Sequence, residues 1–334
     1  MIAESNGCER QWLKLYPEPK TTDARINDVA ITPDNRGLAY GDGFFTTIGV
    51  IDGVILWQDY HVERLTSHAH ALQLAVDSDS LLSSLQFYAA QLQQGVIKVI
   101  VTRAAQAVRG YGFAADVAGR HCEVWLKAAV MTVDTAQHAQ LPDGCSILIQ
   151  PAIAAVCLTA QLACMPPPLA GLKTLNRLDS VLASGELQRL KAKRSASDAA
   201  LGVGEGLNIG EGLVRDMSGS WVEGTMSNVF YQLLDSPVAS KSPAPASSTD
   251  NNVTVSNYLS SGQWYTPALT QSGVAGVMRQ VIIDGFAKSE TPIVMRALND
   301  DDLPHLHALF FCNALRGVMP VTSLTLLSSE VLSF

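Results

Sequence analysis

Three consecutive prolines, Pro166, Pro167 and Pro168, stand near the middle of the chain and stiffen a loop that runs through Ala170 and Gly171. Proline has no amide hydrogen to give to a helix or a central strand, so regular structure stops there and resumes beyond it. From Leu175 onward, Leu175, Leu178, Val181 and Leu182 follow the spacing of one buried helix face. Lys173 therefore stands at a helix entrance. A cation does little for the positive end of a helix dipole. Lysine reacts as an amine only when burial suppresses its charge or an imine removes it, and a loop held against a helix start supplies both conditions. Lys173 is a candidate for covalent chemistry, with a solvated surface lysine as the plain alternative.

At 334 residues the chain is long for one core and comfortable for two domains. Residues 1–24 read as a loosely ordered extension. Residues 25–133 read as a small α/β domain: Val62, Leu65, Ala69 and Leu72 mark a helix, and 96–102 and 122–133 are β-rich runs separated by the loop around Arg109, Gly110 and Tyr111. The polar, proline-bearing stretch 134–143 reads as the linker to a larger domain, 144–334. That domain should hold strands near 146–149 and 221–234, the helix after Lys173 and a helix over 274–287. Within it, residues 236–261 are crowded with serine, proline and asparagine, as expected of a surface insertion outside the core. The glycine-rich run 202–212 has no following Lys-Ser/Thr pair and is not a phosphate-binding P-loop.

A hydrophobic content of 47%, a net charge of −8 and a pI near 5.3 argue for a large core and against a nucleic-acid or anionic-membrane partner. No apolar run reaches the roughly 18 residues of a membrane span and the start is polar, so a cytoplasmic location is expected. The six cysteines are scattered and read as reduced thiols. His68 and His70, like His305 and His307, lie two apart and would face different sides of a helix, which speaks against a metal site.

Four stretches occur in an order that resembles one known family. They are Arg36 to Thr47 followed by His61-Val62-Glu63-Arg64-Leu65; Lys173-Thr174-Leu175-Asn176-Arg177-Leu178; Trp221 to Phe230; and Gly273 to Arg279 with Cys312-Asn313-Ala314-Leu315 behind it. From about residue 26 to 321 the chain is similar to aminodeoxychorismate lyases, within the fold type IV pyridoxal-phosphate enzymes. The resemblance implies a two-domain α+β fold of the D-amino-acid aminotransferase-like type, with pyridoxal 5'-phosphate between the domains and a homodimer as the working form.

It also implies roles for particular residues. Lys173 would form the Schiff base and shuttle the proton. Glu223 would pair with the pyridine nitrogen, against the alternative of a strand-end carboxylate in water. Arg64 would take the phosphate, against the alternative of an i,i+4 surface partner of Tyr60 or His68. The amides of Val274 and Ala275 would add donors ahead of a helix, and Asn313 a side-chain donor, though an asparagine there equally suits a turn cap. For a substrate with two carboxylates, Arg109 is the first choice, beside Tyr111, with Arg103 and Arg316 behind it; Thr46 would line the pocket. The implied reaction converts 4-amino-4-deoxychorismate to 4-aminobenzoate and pyruvate, a step of folate biosynthesis. A D-amino-acid or branched-chain aminotransferase of the same fold is the alternative. The Asn176-Arg177-Leu178 and Cys312 to Leu315 runs resemble the lyase more closely.

Overall fold

The computed structural model describes residues 12–16, 31–133, 137–201, 209–234, 259 and 262–334. Within these, the elements in chain order are β1 (Leu13–Tyr16), α1 (Arg36–Tyr40), β2 (Gly43–Ile51), β3 (Val54–Ile55), α2 (Gln58–Ala71), α3 (Ser78–Leu92), β4 (Gly95–Arg103), β5 (Cys122–Val130), β6 (Gln137–Gln140), β7 (Ser146–Ile149), β8 (Ile153–Leu162) and α4 (Leu178–Leu201). They continue with β9 (Ile209–Asp216), β10 (Trp221–Gly224), β11 (Asn228–Leu233), β12 (Tyr265–Thr266), α5 (Val277–Phe286), β13 (Val294–Met295), β14 (Leu306–Asn313), β15 (Gly317–Thr325) and β16 (Val331–Ser333). The chain divides into two compact units. The first comprises Met1–Asp134 with Leu172–Asn176, and the second Thr135–Gly171 with Arg177–Phe334.

The first unit is an antiparallel sheet in the order β1-β5-β4-β2-β3, with α2 and α3 contributing to its core. Alternation explains the packing. Phe44, Thr46, Ile48 and Val50 of β2 and Ile97, Val99 and Val101 of β4 point into the core, where Leu65 of α2 and Leu81 and Leu85 of α3 meet them. The strand β1 lies inside the stretch read as a loose extension: Leu13 pairs with Leu126 and Lys14 with Trp125. The remainder of 1–24 lies outside the described residues.

In the second unit the pairings β8-β9-β10-β11-β14-β15 return from β15 to β8, so six strands close into a ring. Every one of the six contributes to a single buried cluster that includes Ala155, Leu213, Trp221, Val229, Phe311 and Met319. Their alternate residues Val156, Leu158, Val214 and Val222 pack against Ala183 and Leu187 of α4. Closure removes exposed edges for these strands. The remaining pairs extend from this ring, β6 and β7 from β15 among them.

One expectation changes, and two fall largely outside the described residues. Gln137–Gln140, inside the predicted linker, is an edge strand paired with β7; only Ala139 is buried in it, so its composition reads as polar. The insertion 236–261 lies outside the described residues except Leu259, which is buried and accepts a hydrogen bond from Trp264 Nε1, so it joins the core. Residues 202–208 of the glycine-rich run are also outside; Ile209–Asp216 is strand β9. Among the described residues no helix is long and apolar enough to cross a membrane.

Candidate functional site

The segment Leu172–Asn176, which carries Lys173, belongs to the first unit, although Gly171 before it and Arg177 after it belong to the second. The segment runs extended against β2: the Phe45 amide donates to the Lys173 carbonyl and the Leu175 amide to the Gly43 carbonyl, both at 3.0 Å, with Thr174 opposite Phe44. The expected helix entrance is therefore corrected. This long-range pairing takes 172–176, and α4 begins only at Leu178. The predicted buried face is corrected too, because Leu178, Val181 and Leu182 are exposed on the chain while Ala183 and Leu187 are buried. The Lys173 ammonium lies 4.6 Å from the centre of the Phe45 ring, and Lys98 lies 5.1 Å from the same ring.

Three polar side chains of α2 line up beneath this segment. His61, Arg64 and His68 are three and four apart, share one helix face and are all buried. His68 Nε2 accepts the Lys173 amide hydrogen at 2.9 Å. His61 Nδ1 is 2.9 Å from Thr46 Oγ1, while its Nε2 is buried with no hydrogen-bond partner among the described residues. Burial, with the Arg64 charge beside them, pushes both histidines down to about 3. Burial also lowers Arg64 to about 10, which leaves it charged at neutral pH. The result is a desolvated guanidinium flanked by two neutral imidazoles. Such a charge is worth more to an anion than one in water. Sequence reasoning gives His61 no role of its own and His68 only that of a surface partner of Arg64; the signal for their burial is the 61-64-68 spacing on one helix face.

Thr46 is fully buried on the core face of β2 and is engaged with His61, so the pocket-lining expectation does not hold for it. Arg103 is likewise committed: it donates to Asp42, to the Leu72, Gln73 and Gly119 carbonyls, and stacks on Phe113. Arg109 is exposed and Tyr111 is 84% exposed. Their loop is pinned by Arg36, whose guanidinium donates to the Gly110 and Tyr111 carbonyls and to Asp42.

In the second unit, Glu223 of β10 is buried. Its Oε2 accepts from the Val274 amide at 2.8 Å and from Asn228 Nδ2 at 3.3 Å, and Arg177 Nη2 stands 3.5 Å from Oε1. Gly273 makes the first contact possible. Its φ is +78°, and a Cβ there would fall 2.9 Å from Val222 and Leu269 and 3.0 Å from Glu223 Oε2. The turn after Glu223 is held by Glu211, which accepts from the Thr225 amide and hydroxyl and from Ser227 Oγ.

The Val274 and Ala275 amides are committed to Glu223 and to the Gly171 carbonyl, which corrects their assignment as anion donors. The helix starts later, at Val277 after the N-cap Gly276, so the first-turn amides are those of Val277, Met278 and Arg279. Asn313 caps the turn between β14 and β15, its Oδ1 accepting from the Leu315 and Arg316 amides. Arg316 is exposed beside it.

Residues 43–324, spanning the lysine segment, Glu223 and α5, match the family described as amino-transferase class IV. The chain belongs to the class IV aminotransferases. An aminodeoxychorismate lyase from Vibrio harveyi is 23% identical over 292 residues, covering 87% of this chain and 86% of that protein. The crystal structure of 4-amino-4-deoxychorismate lyase from Pseudomonas aeruginosa superposes with a TM-score of 0.65 at 27% identity, covering 89% and 88% of the two chains. The branched-chain amino acid aminotransferase of Escherichia coli gives 0.62 at 19% identity, covering 89% and 82%. This class IV aminotransferase thus has the two-domain α+β architecture of fold type IV, a pyridoxal-phosphate-dependent family.

Proposed function

We propose that this class IV aminotransferase is a pyridoxal-phosphate-dependent lyase that converts 4-amino-4-deoxychorismate to 4-aminobenzoate and pyruvate. The observation that carries the chemistry is Lys173, paired through its backbone to β2 and to His68 on a segment separate from any helix. The residues present fit the cofactor. A buried guanidinium with an unsatisfied imidazole nitrogen beside it suits a phosphate, and a buried carboxylate held by three donor groups suits a pyridine N–H. When bound, the cofactor supplies a carbonyl that captures amines and a ring that accepts electrons.

Lys173 Nζ would hold the cofactor and would then be free to take the proton from the substrate carbon that bears the amino group. Glu223 would accept a hydrogen bond from the ring nitrogen, with Asn228, Val274 and Arg177 fixing its orientation. Arg64 would bind the phosphate; in the second unit the first-turn amides of α5, unlike those of Val274 and Ala275, would be open to an anion. Arg109, exposed on its pinned loop, meets a substrate carboxylate. The bond that breaks joins the ring to the enolpyruvyl oxygen. The proton lost from the ring carbon is balanced by one gained by enolpyruvate as it becomes pyruvate, so no water or oxidant enters.

Two features favour the lyase over an aminotransferase. The lysine segment continues as Asn176-Arg177, with Arg177 placed on Glu223, and this chain is 27% identical to the lyase from Pseudomonas aeruginosa against 19% to the branched-chain aminotransferase of Escherichia coli. The deciding assay supplies the purified, cofactor-loaded protein with aminodeoxychorismate, then with branched-chain and D-amino acids plus a keto acid. Equal amounts of 4-aminobenzoate and pyruvate support the lyase. Amino-group transfer without 4-aminobenzoate refutes it.

A further inference from the structure

We propose that His68 is the positioning residue of Lys173: its neutral imidazole accepts the Lys173 amide hydrogen and thereby fixes the segment from which the reactive amine projects. The proposal rests on Lys173 being the reactive lysine. The hydrogen bond itself is a feature of the protein alone.

The ladder between β2 and this segment consists of two bonds, from the Phe45 amide to Lys173 and from Leu175 to Gly43. The Lys173 amide takes no part in it and goes to His68 Nε2 at 2.9 Å. A backbone amide drawn partly out of water needs an acceptor, and this one is half-buried. Here the acceptor is a side chain from α2, so the peptide next to the lysine Cα is tied to a helix as well as to a strand. An imidazole accepts only when neutral, and Nε2 accepts only in the tautomer that carries its hydrogen on Nδ1. That hydrogen faces Ser67 Oγ at 3.4 Å, and the ring edge meets Phe44 at 5.4 Å between centres.

The charged groups that act on the ring are both cations, Arg64 of α2 and Lys173 itself, and with burial they keep the imidazole neutral. His61, on the same helix face, is held neutral by burial and the Arg64 charge. An imidazolium at this position would place N–H against N–H and release the segment. The arrangement thus supplies an acceptor beside the lysine without adding positive charge. A carboxylate in the same place would pair with the ammonium and hold it protonated, away from its use as an amine.

The test uses the cofactor-free protein and amide hydrogen exchange at Lys173, compared across wild type, His68→Leu and His68→Gln, with Val99 of β4 as the internal reference. Leucine keeps the volume and removes the acceptor, whereas the glutamine carbonyl restores one near the Nε2 position. The expected result is exchange at Lys173 roughly tenfold or more faster in His68→Leu, with Val99 unchanged, and a return toward wild type in His68→Gln. Labelling of Lys173 by pyridoxal phosphate and borohydride should follow the same order. Wild-type exchange at Lys173 in His68→Leu overturns the proposal. Should His68→Leu fail to fold, nitrogen NMR of the wild-type ring decides: an unprotonated Nε2 at neutral pH supports it and a protonated Nε2 overturns it. Absence of any wild-type labelling at Lys173 would instead refute the cofactor reading, leaving the exchange result to stand by itself.

Discussion

Glu223→Gln separates a structural carboxylate from one that serves a cofactor. In the protein alone, the glutamine oxygen can still accept from the Val274 amide and from Asn228, which contact Oε2 at 2.8 and 3.3 Å. The new amide group would face Arg177, which stands 3.5 Å from Oε1, so one ionic contact becomes donor against donor. Both side chains of that pair are largely buried, and the loss should cost about 1–2 kcal/mol. For a chain of this length that is a fall of roughly 2–8 °C in the melting temperature of the unit concerned. With cofactor, a charge-assisted bond to the ring nitrogen is lost, about 1.5–3 kcal/mol, or roughly ten- to 150-fold in Kd. Titration of the purified variant with pyridoxal phosphate, followed by the cofactor absorption band, reads that number. The reasoning fails if the melting temperature falls as stated and cofactor affinity stays at the wild-type value, for Glu223 would then only hold the fold.

Acid should weaken the first unit through its histidines. His61 and His68 are pushed from 6.5 to about 3, so the unfolded chain binds protons that the native state refuses. Their contribution is complete above pH 6.5 and is lost as the pH falls toward 3, at up to ~1.4 kcal/mol per pH unit for each; urea midpoints for His61→Gln and His68→Gln should show a shallower decline over that range. Gly273→Ala should destabilise the second unit by at least about 1 kcal/mol, since it forces a side chain to a φ of +78° and against Val222 and Leu269, and equal denaturation midpoints would contradict this. The resemblance implies a homodimer, and Leu178, Val181 and Leu182 of α4 are exposed on the single chain. Light scattering should give twice 35.7 kDa for the wild type and a smaller mass for the Leu178→Asp, Leu182→Asp double variant.

Much of the fold was open to reading because its signals are local. Alternation in β4, where Ile97, Val99 and Val101 are buried, and the helical spacing of Leu65 and Ala69 follow from burial on one face. What escaped was long-range. The Lys173 segment resembles a helix start by spacing, yet Gly43 and Phe45, some 130 positions earlier, claim its backbone, and no local periodicity reports that. The edge strand Gln137–Gln140 buries one alanine and so carries almost no hydrophobic signal. The amides of Val274 and Ala275 stood in the right kind of motif for an anion. The helix begins about one turn later than the spacing predicts, because Gly276 ends an extended stretch and does not sit inside it. The sequence offers His68 as an i,i+4 surface partner of Arg64, whereas its hydrogen bond to the Lys173 amide, 105 positions away, leaves no local signal.

Lys173 as the cofactor anchor is the claim on which the account stands. Purified protein incubated with pyridoxal phosphate, reduced with borohydride, digested and examined by mass spectrometry tests it most directly. The account predicts one pyridoxyl group per chain, on the peptide that contains Lys173, and none in Lys173→Ala. Labelling spread over surface lysines, or unchanged in Lys173→Ala, would contradict it.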